Sequence, residues 1–157
     1  MNPSSEVSIR LARKSDRDQL LRMREALWPN APAGDHAREL DLTLDGKAPV
    51  TLPLIILVAE TIYGDLVGFL EADLRSHADG CDPQRPVGYV EGWYVVENSR
   101  NRGVARKLLA AAEDWARSQG CVEMASDTWI DNEVSQRVHE SLGYEVVDRC
   151  VHYRKTL

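Results

Sequence analysis

Cysteine is scarce in this chain: Cys81, Cys121 and Cys150 are the only three, and no two stand in CxxC spacing. An odd, scattered set argues against a disulfide framework or a zinc site and fits a reducing cytoplasm. Long apolar runs are missing too. The most apolar stretch, Leu52 to Ala59, is far too short to span a bilayer and reads as a buried strand. The start, Met1 to Glu6, has no basic region followed by an apolar core, so no secretory signal is expected. Positive charge is also in deficit: 19 Lys and Arg stand against 25 Asp and Glu, for a formal charge of −6. That balance disfavours nucleic acid or an anionic membrane as a partner, and an anionic ligand would need a local basic or amide-rich cradle. No repeat or low-complexity tract is present. The expectation is a soluble cytoplasmic protein that holds no metal.

What is present suits one domain over 1–157. The 157 residues, 43% hydrophobic and 28% charged, can bury a core without a disulfide or metal to staple it. Val7 to Leu11 alternates apolar and polar residues, as a half-buried strand does. Ser15-Asp16-Arg17-Asp18 carries a Ser-x-x-Asp capping pattern and opens a helix whose apolar side is Leu20, Leu21, Met23 and Leu27, stopped by Trp28-Pro29. A second helix is expected from about Asp35 to Leu44. Leu54 to Thr61 and Leu66 to Arg75 read as an antiparallel pair turning at Gly64-Asp65. After a polar loop, Ser76 to Pro86, come a strand over Val87 to Val96 and the strongest helix pattern, Val104 to Ser118, closed by Gly120. Cys121 to Ser126 reads as a short strand, Asn132 to Leu142 as a helix, and Gly143-Tyr144 as the entry to a final strand pair reaching Tyr153. The order predicts a mixed α/β fold, largely antiparallel in its first half, with a β-α-β unit in its second.

Arg100-Asn101-Arg102-Gly103-Val104-Ala105 lies between a strand and the N-terminus of the best helix. A glycine and a small residue there let the backbone approach a ligand, and the first helical turn offers unpaired N–H groups and the positive end of its dipole. Arg102, Arg106 and Lys107 add positive charge in an otherwise acidic chain. A pyrophosphate fits such a loop, although an ordinary strand-to-helix turn with solvated arginines shares these residue types.

The surrounding pattern resembles the GNAT superfamily of N-acetyltransferases. Arg100 to Ala105 matches its Gln/Arg-x-x-Gly-x-Gly/Ala signature, and Asn132, Ser135, His139 and Gly143-Tyr144 match its later Asn-helix-Gly-Phe/Tyr element. The resemblance implies a GNAT fold, with a central, largely antiparallel sheet splayed at an acetyl-CoA site and flanked by helices. It further implies the acetyl group over Trp93, Tyr94 and Val95, with the Val95 N–H facing the developing oxyanion. Amides of Asn101, Arg102, Gly103, Val104, Ala105 and Arg106 would hold the pyrophosphate, with Asn132 and His139 near the pantetheine and sulfur. Many relatives carry Tyr where this chain has His139, so His139 is either the acid that protonates the leaving thiolate or a packed helix residue.

A narrower resemblance is to the aminoglycoside 6'-N-acetyltransferases. It rests on Leu27-Trp28-Pro29, on Gly80-Cys81-Asp82 with Tyr89-Val90-Glu91-Gly92, and on Gly120 to Thr128 followed by Asn132 and Ser135 to His139. It implies acetyl-CoA as co-substrate, an aminoglycoside or similar cationic small molecule as acceptor, and a homodimer. Amine acetylation needs an unprotonated nucleophile, and a carboxylate can both hold the ammonium and take its proton. By family position Asp127 is the candidate base. Glu91 is a substrate anchor or a base acting through water. Trp28, His77 and Asp148 fall at further substrate positions, Asp148 at a neighbouring subunit's site if a dimer forms. Glu71 and Asp73 share a strand face and offer a second acidic contact. Trp93 and Trp129 stand where smaller residues are expected. No residue is placed by motif as a covalent acyl carrier, which favours direct attack in a ternary complex. A polyamine, another amino sugar or a protein amine remains open as acceptor, as does a non-catalytic acyl-CoA sensor.

Overall fold

A computed structural model describes residues 6–157; the expectation about a secretory signal rests on residues 1–5 and lies outside them. Strands β1 (Val7–Leu11), β2 (Leu54–Thr61), β3 (Leu66–Arg75), β4 (Val87–Val95) and β5 (Met124–Ser126) form one sheet in that spatial order. The first four are antiparallel; β5 joins β4 in parallel after a crossover through α3 (Val104–Ser118). Helices α1 (Arg17–Leu27), α2 (Asp35–Leu44) and α4 (Glu133–Ser141) complete the described α-helices, and short 3-10 turns lie at Lys14–Asp16 and Glu97–Ser99. The mixed α/β expectation holds, and so do the bounds read for β1, α2, β2, β3 and α3.

Period-two alternation divides the sheet's residues between two layers. Ile56, Val58, Leu66 and Phe69 face α1 and α2, packing on Leu20, Met23 and Leu40. Leu57, Ala59, Leu70, Ala72, Val90 and Val95 face α3, packing on Val104, Leu108, Leu109 and Ala112. Full burial of Phe69, Leu20 and Leu108 contributes about 1.5–3 kcal/mol per side chain. At the edge of the α1 layer, Arg10 bridges Asp16 and Glu60, with guanidinium contacts of 2.7 Å to each.

One irregularity shapes everything that follows. Glu71 pairs with Gly92, but the next β3 residue, Ala72, pairs with Val90, so Glu91 is an extra residue in β4. A bulge of this kind re-aims a side chain and bends its strand. Here it puts Glu91 on the α1–α2 face with Glu71, Asp73, Arg75 and Tyr89.

Three local expectations fail. Ser15 does not cap α1: the chain enters through a 3-10 turn, Lys14–Asp16, and the buried Asp16 carboxylate instead accepts the Arg13 N–H at 2.7 Å while gripping Arg10. The fifth strand begins at Met124 rather than Cys121, because Cys121 N–H is taken by Ala116 O at the end of α3. The final strand pair is absent, and with it the strand position read for Asp148. Residues 145–157 form no strand and are exposed throughout, including Val146, Val147, Val151 and Tyr153. The outer edge of β5 and the end of β4 are open, yet no residue of this segment pairs with either.

Candidate functional site

Beyond Val90, which pairs with Ser126, β5 ends and β4 continues alone, leaving one edge of residues 91–95 open. Val96 N–H donates to Val67 O at 2.9 Å, so by alternation the polar groups of Val95 turn away from β3 toward that edge. Arg100 Nε donates to Val95 O at 2.9 Å from the same side, leaving the Val95 N–H as the donor aimed into the gap.

Immediately beyond, the chain turns through Asn101 (φ 58°) and Gly103 (φ 78°) into α3. No side chain caps this helix. Its first intrahelical bond is Lys107 N–H to Gly103 O, so the preceding N–H groups project from the helix end. Arg102, Arg106 and Lys107 are exposed around them. A Cβ at Gly103 would meet open space, so glycine is favoured there by its φ and by room for a close backbone approach. The donor set suits a pyrophosphate: converging amides, a dipole end and cationic rims.

On the α1–α2 face of β3 and β4 lies an acidic cluster. Tyr89 Oη donates to Asp127 Oδ1 at 2.6 Å, joining β4 to the loop after β5. Burial and the neighbouring Asp127 carboxylate push the Tyr89 phenol well above its ordinary range. The Arg75 guanidinium lies 3.4 Å over the centre of the Tyr89 ring and donates twice to Glu91 Oε1, at 2.5 and 3.2 Å. Asp73 is half-buried beside Glu91, and desolvation together with that negative neighbour pushes its carboxyl up to about 6. Deeper, the Glu71 carboxyl is raised by burial and meets Arg24 Nε at 3.3 Å; Arg24 also reaches Glu39.

Trp28 closes this cluster from above. Its ring sits on Gly92, stacks on His36 (5.9 Å, 26°) and meets Phe69 edge-on. It also lines a cavity of about 270 Å³ with Glu25, Pro29, Pro32 and His36. The ring therefore both packs the layer and forms one wall of that cavity.

His139 belongs to the other layer. It stacks on Trp93 (5.1 Å, 18°) and meets Tyr144 edge-on. Nδ1 lies 2.8 Å from Ser135 O and Nε2 3.0 Å from Ser126 Oγ. The carbonyl can only accept, which assigns a proton to Nδ1; Nε2 rests against the Ser126 hydroxyl, which also donates to Val90 O at 3.3 Å. Asn132 caps α4, its side chain accepting from Ser135 N–H at 3.1 Å.

Glu91 and Asp127 are thus brought together through Arg75 and Tyr89, with Trp28 nearby. His77 and Asp148 are not joined to them: each is exposed and engages only its neighbour in sequence, Ser76 and Arg149. Sequence reasoning missed Arg75 altogether, and it used Tyr89 only as part of a matching run. A tyrosine and an arginine on strand positions of the same parity as Glu71 and Asp73 were the available signal. Two matched segments far apart in sequence also meet: Asp82 N–H donates to Glu123 Oε1 at 2.8 Å.

Comparison with known proteins agrees with this geometry. The model of the acetyltransferase (GNAT) family matches residues 20–144. An aminoglycoside N(6')-acetyltransferase type 1 of Klebsiella aerogenes is 38% identical over 153 residues, spanning 98% of this chain and 99% of its own. Its counterpart from Serratia marcescens is 40% identical over 141 residues, spanning 89% and 92%. Among solved structures, AAC(6')-Iy in complex with the bisubstrate analogue CoA-S-monomethyl-acetylneamine superposes with a TM-score of 0.85 at 35% identity, over 97% of this chain and 99% of that one. The chain belongs to the acetyltransferase (GNAT) family and, within it, is similar to the aminoglycoside 6'-N-acetyltransferases.

Proposed function

We propose that this protein transfers the acetyl group of acetyl-CoA to the 6'-amine of aminoglycosides by direct attack in a ternary complex. The observation that carries this reading is the juxtaposition of an acidic face holding Glu91, Asp73 and Asp127 with the open edge of β4. In this reading a cation-binding wall stands beside a backbone donor, which is what acyl transfer to an ammonium-bearing substrate needs.

In this reading the N–H groups from Asn101 to Arg106 hold the pyrophosphate, with pantetheine along Trp93, Tyr94 and Asn132. Asp127 takes a proton from the bound ammonium, which frees the nitrogen lone pair to attack the acetyl carbon. Glu91 anchors the amine. As the carbon–nitrogen bond forms, the Val95 N–H stabilises the charge that builds on the carbonyl oxygen. Collapse then breaks the carbon–sulfur bond; the sulfur leaves with the bonding pair and takes up the second proton of the attacking nitrogen to depart as the CoA thiol. His139 is a positioning residue here, since both ring nitrogens are engaged within the protein. Trp28 offers its ring to a sugar face, and His77 lies on the loop at the rim.

Among the described residues no helix is long and apolar enough to cross a membrane. A cytoplasmic location follows in this reading from where acetyl-CoA is available, and antibiotic resistance from the chemistry performed. The whole of 1–157 acts as one acetyltransferase domain. The chain works as a homodimer, with residues 145–157 finding in a second copy the strand partner that they lack, and Asp148 thereby reaching the neighbour's site. Light scattering reads this directly: a monomer at micromolar concentration removes the dimer.

The regiochemistry is tested by following CoA thiol release with kanamycin A and with an analogue bearing a 6'-hydroxyl. Release with the amine only is expected. Equal rates on both, or none on either, would refute the assignment.

A further inference from the structure

The cluster of Asp73, Glu91 and Asp127 already contains a cation. Arg75 is the last residue of β3, on the same face as Glu71 and Asp73. Its guanidinium carbon lies 3.4 Å over the Tyr89 ring; the group bonds Glu91 Oε1 through Nε and Nη2, and stands 3.9 Å from Asp73 Oδ1. That Asp73 oxygen is buried without a hydrogen-bond donor. The side chain's remaining surface is open, so it can leave by rotating outward.

The geometry points to Arg75 as a resident competitor of the substrate: its guanidinium occupies, between Glu91, Asp73 and the Tyr89 ring, the position that an ammonium group of the incoming aminoglycoside takes. This rests on the proposed reading of the site and deepens it. A planar cation on an aromatic face beside a carboxylate satisfies the same two interactions that an alkylammonium seeks, a charge pair and a π face. Both cations cannot share Glu91 Oε1, because like charges at contact distance repel. Binding therefore requires Arg75 to swing away, and the cost is recovered only by substrates with enough positive charge to replace it. Arg75 thus sets a charge threshold. Weakly charged cellular amines are held out, whereas a polycation displaces the guanidinium and gains the exposed carboxylates.

The test is calorimetric titration of the CoA-bound enzyme at pH 8 with kanamycin A and with 6-amino-6-deoxyglucose, which bears one amine. Arg75→Gln removes the competitor, and kanamycin should bind about tenfold more tightly, the scale of one lost contact between like charges in a partly screened site. The monoamine must displace the same guanidinium and should gain by a similar factor, bringing its binding into measurable range. Arg75→Lys keeps a cation in place and should stay within about twofold of the parent. Unchanged or weaker binding in Arg75→Gln overturns the inference, and so does a Lys variant that behaves like the Gln variant. Because the readout is binding, a parent enzyme that binds kanamycin without acetylating it would refute the proposed function while leaving this measurement intact.

Discussion

The hydroxyl of Tyr89 donates to Asp127 Oδ1 at 2.6 Å, and through that bond a residue in mid-strand orients the carboxylate beyond the end of the neighbouring strand. Asp127 lies just past the last β5 pair, on a loop that offers it no other partner among the described hydrogen bonds. Tyr89→Phe should leave the fold intact and release Asp127 from its orientation. A hydrogen bond to a charged group contributes about 1.5–3 kcal/mol, so kcat/KM for kanamycin A should fall by about tenfold or more. Steady-state kinetics with a parallel thermal melt check this; a lower Tm with unchanged kcat/KM would assign Tyr89 to packing alone.

The two carboxylates should separate kinetically. Asp127→Asn removes the proposed proton acceptor and should lower kcat by about a hundredfold, the lower range for general-base loss. Glu91→Gln removes an anchor and frees Arg75, so its effect should fall chiefly on KM. A kcat loss in Glu91→Gln as deep as in Asp127→Asn would instead make Glu91 the base, acting through water.

Asp73 should make stability depend on pH. Its carboxyl is raised from 3.8 to about 6 in the folded chain, so the folded state holds that proton more tightly than the unfolded one. The resulting stabilisation is present below about pH 4 and is lost as the pH rises through 6. Asp73→Asn avoids the loss. The variant should match the parent near pH 3 and exceed it at pH 8 by about 1 kcal/mol, because solvent screens a half-buried carboxylate. Urea unfolding at the two pH values reads the difference. A gain at pH 3 equal to that at pH 8 would refute this account.

Gly92 is where β4 makes room for Trp28. A Cβ there would overlap the indole, with Cη2 only 2.8 Å away and Leu27 Cδ2 at 3.1 Å. Gly92→Ala should displace the ring, destabilise the fold by about 1–3 kcal/mol through overpacking, and raise the KM for kanamycin A. Trp fluorescence should report the displaced ring, and a parent-like spectrum and Tm would show that the space is easily made.

Much of the fold is local and could be read in advance. The periodicity of Val104 to Ser118 gives α3 its bounds because Leu108, Leu109 and Ala112 recur at helical spacing along one buried side. The loop before α3 announced itself through a glycine and a small residue among Arg102, Arg106 and Lys107, a matter of nearby residues alone, and the structure adds the positive φ of Gly103. The final strand pair misled because Glu145 to Tyr153 has the composition of strands, whereas pairing is decided by contacts between distant segments, and here the segment pairs with neither open edge of the sheet.

The sequence by itself determined the kinds of element, the amide-rich helix end, and the presence of carboxylates at 91 and 127, since each depends on residues within a turn or two of one another. Only the tertiary structure decided what those carboxylates meet. The bulge turns Glu91 onto the face of Asp73, Arg75 reaches it across 16 positions, and Tyr89 reaches Asp127 across 38. A one-residue offset in strand pairing changes which face a side chain occupies. Register is set by contacts between strands and leaves no trace in the periodicity of either one. That is why Arg75, the cation already seated among the carboxylates, came into view only once the strands were paired.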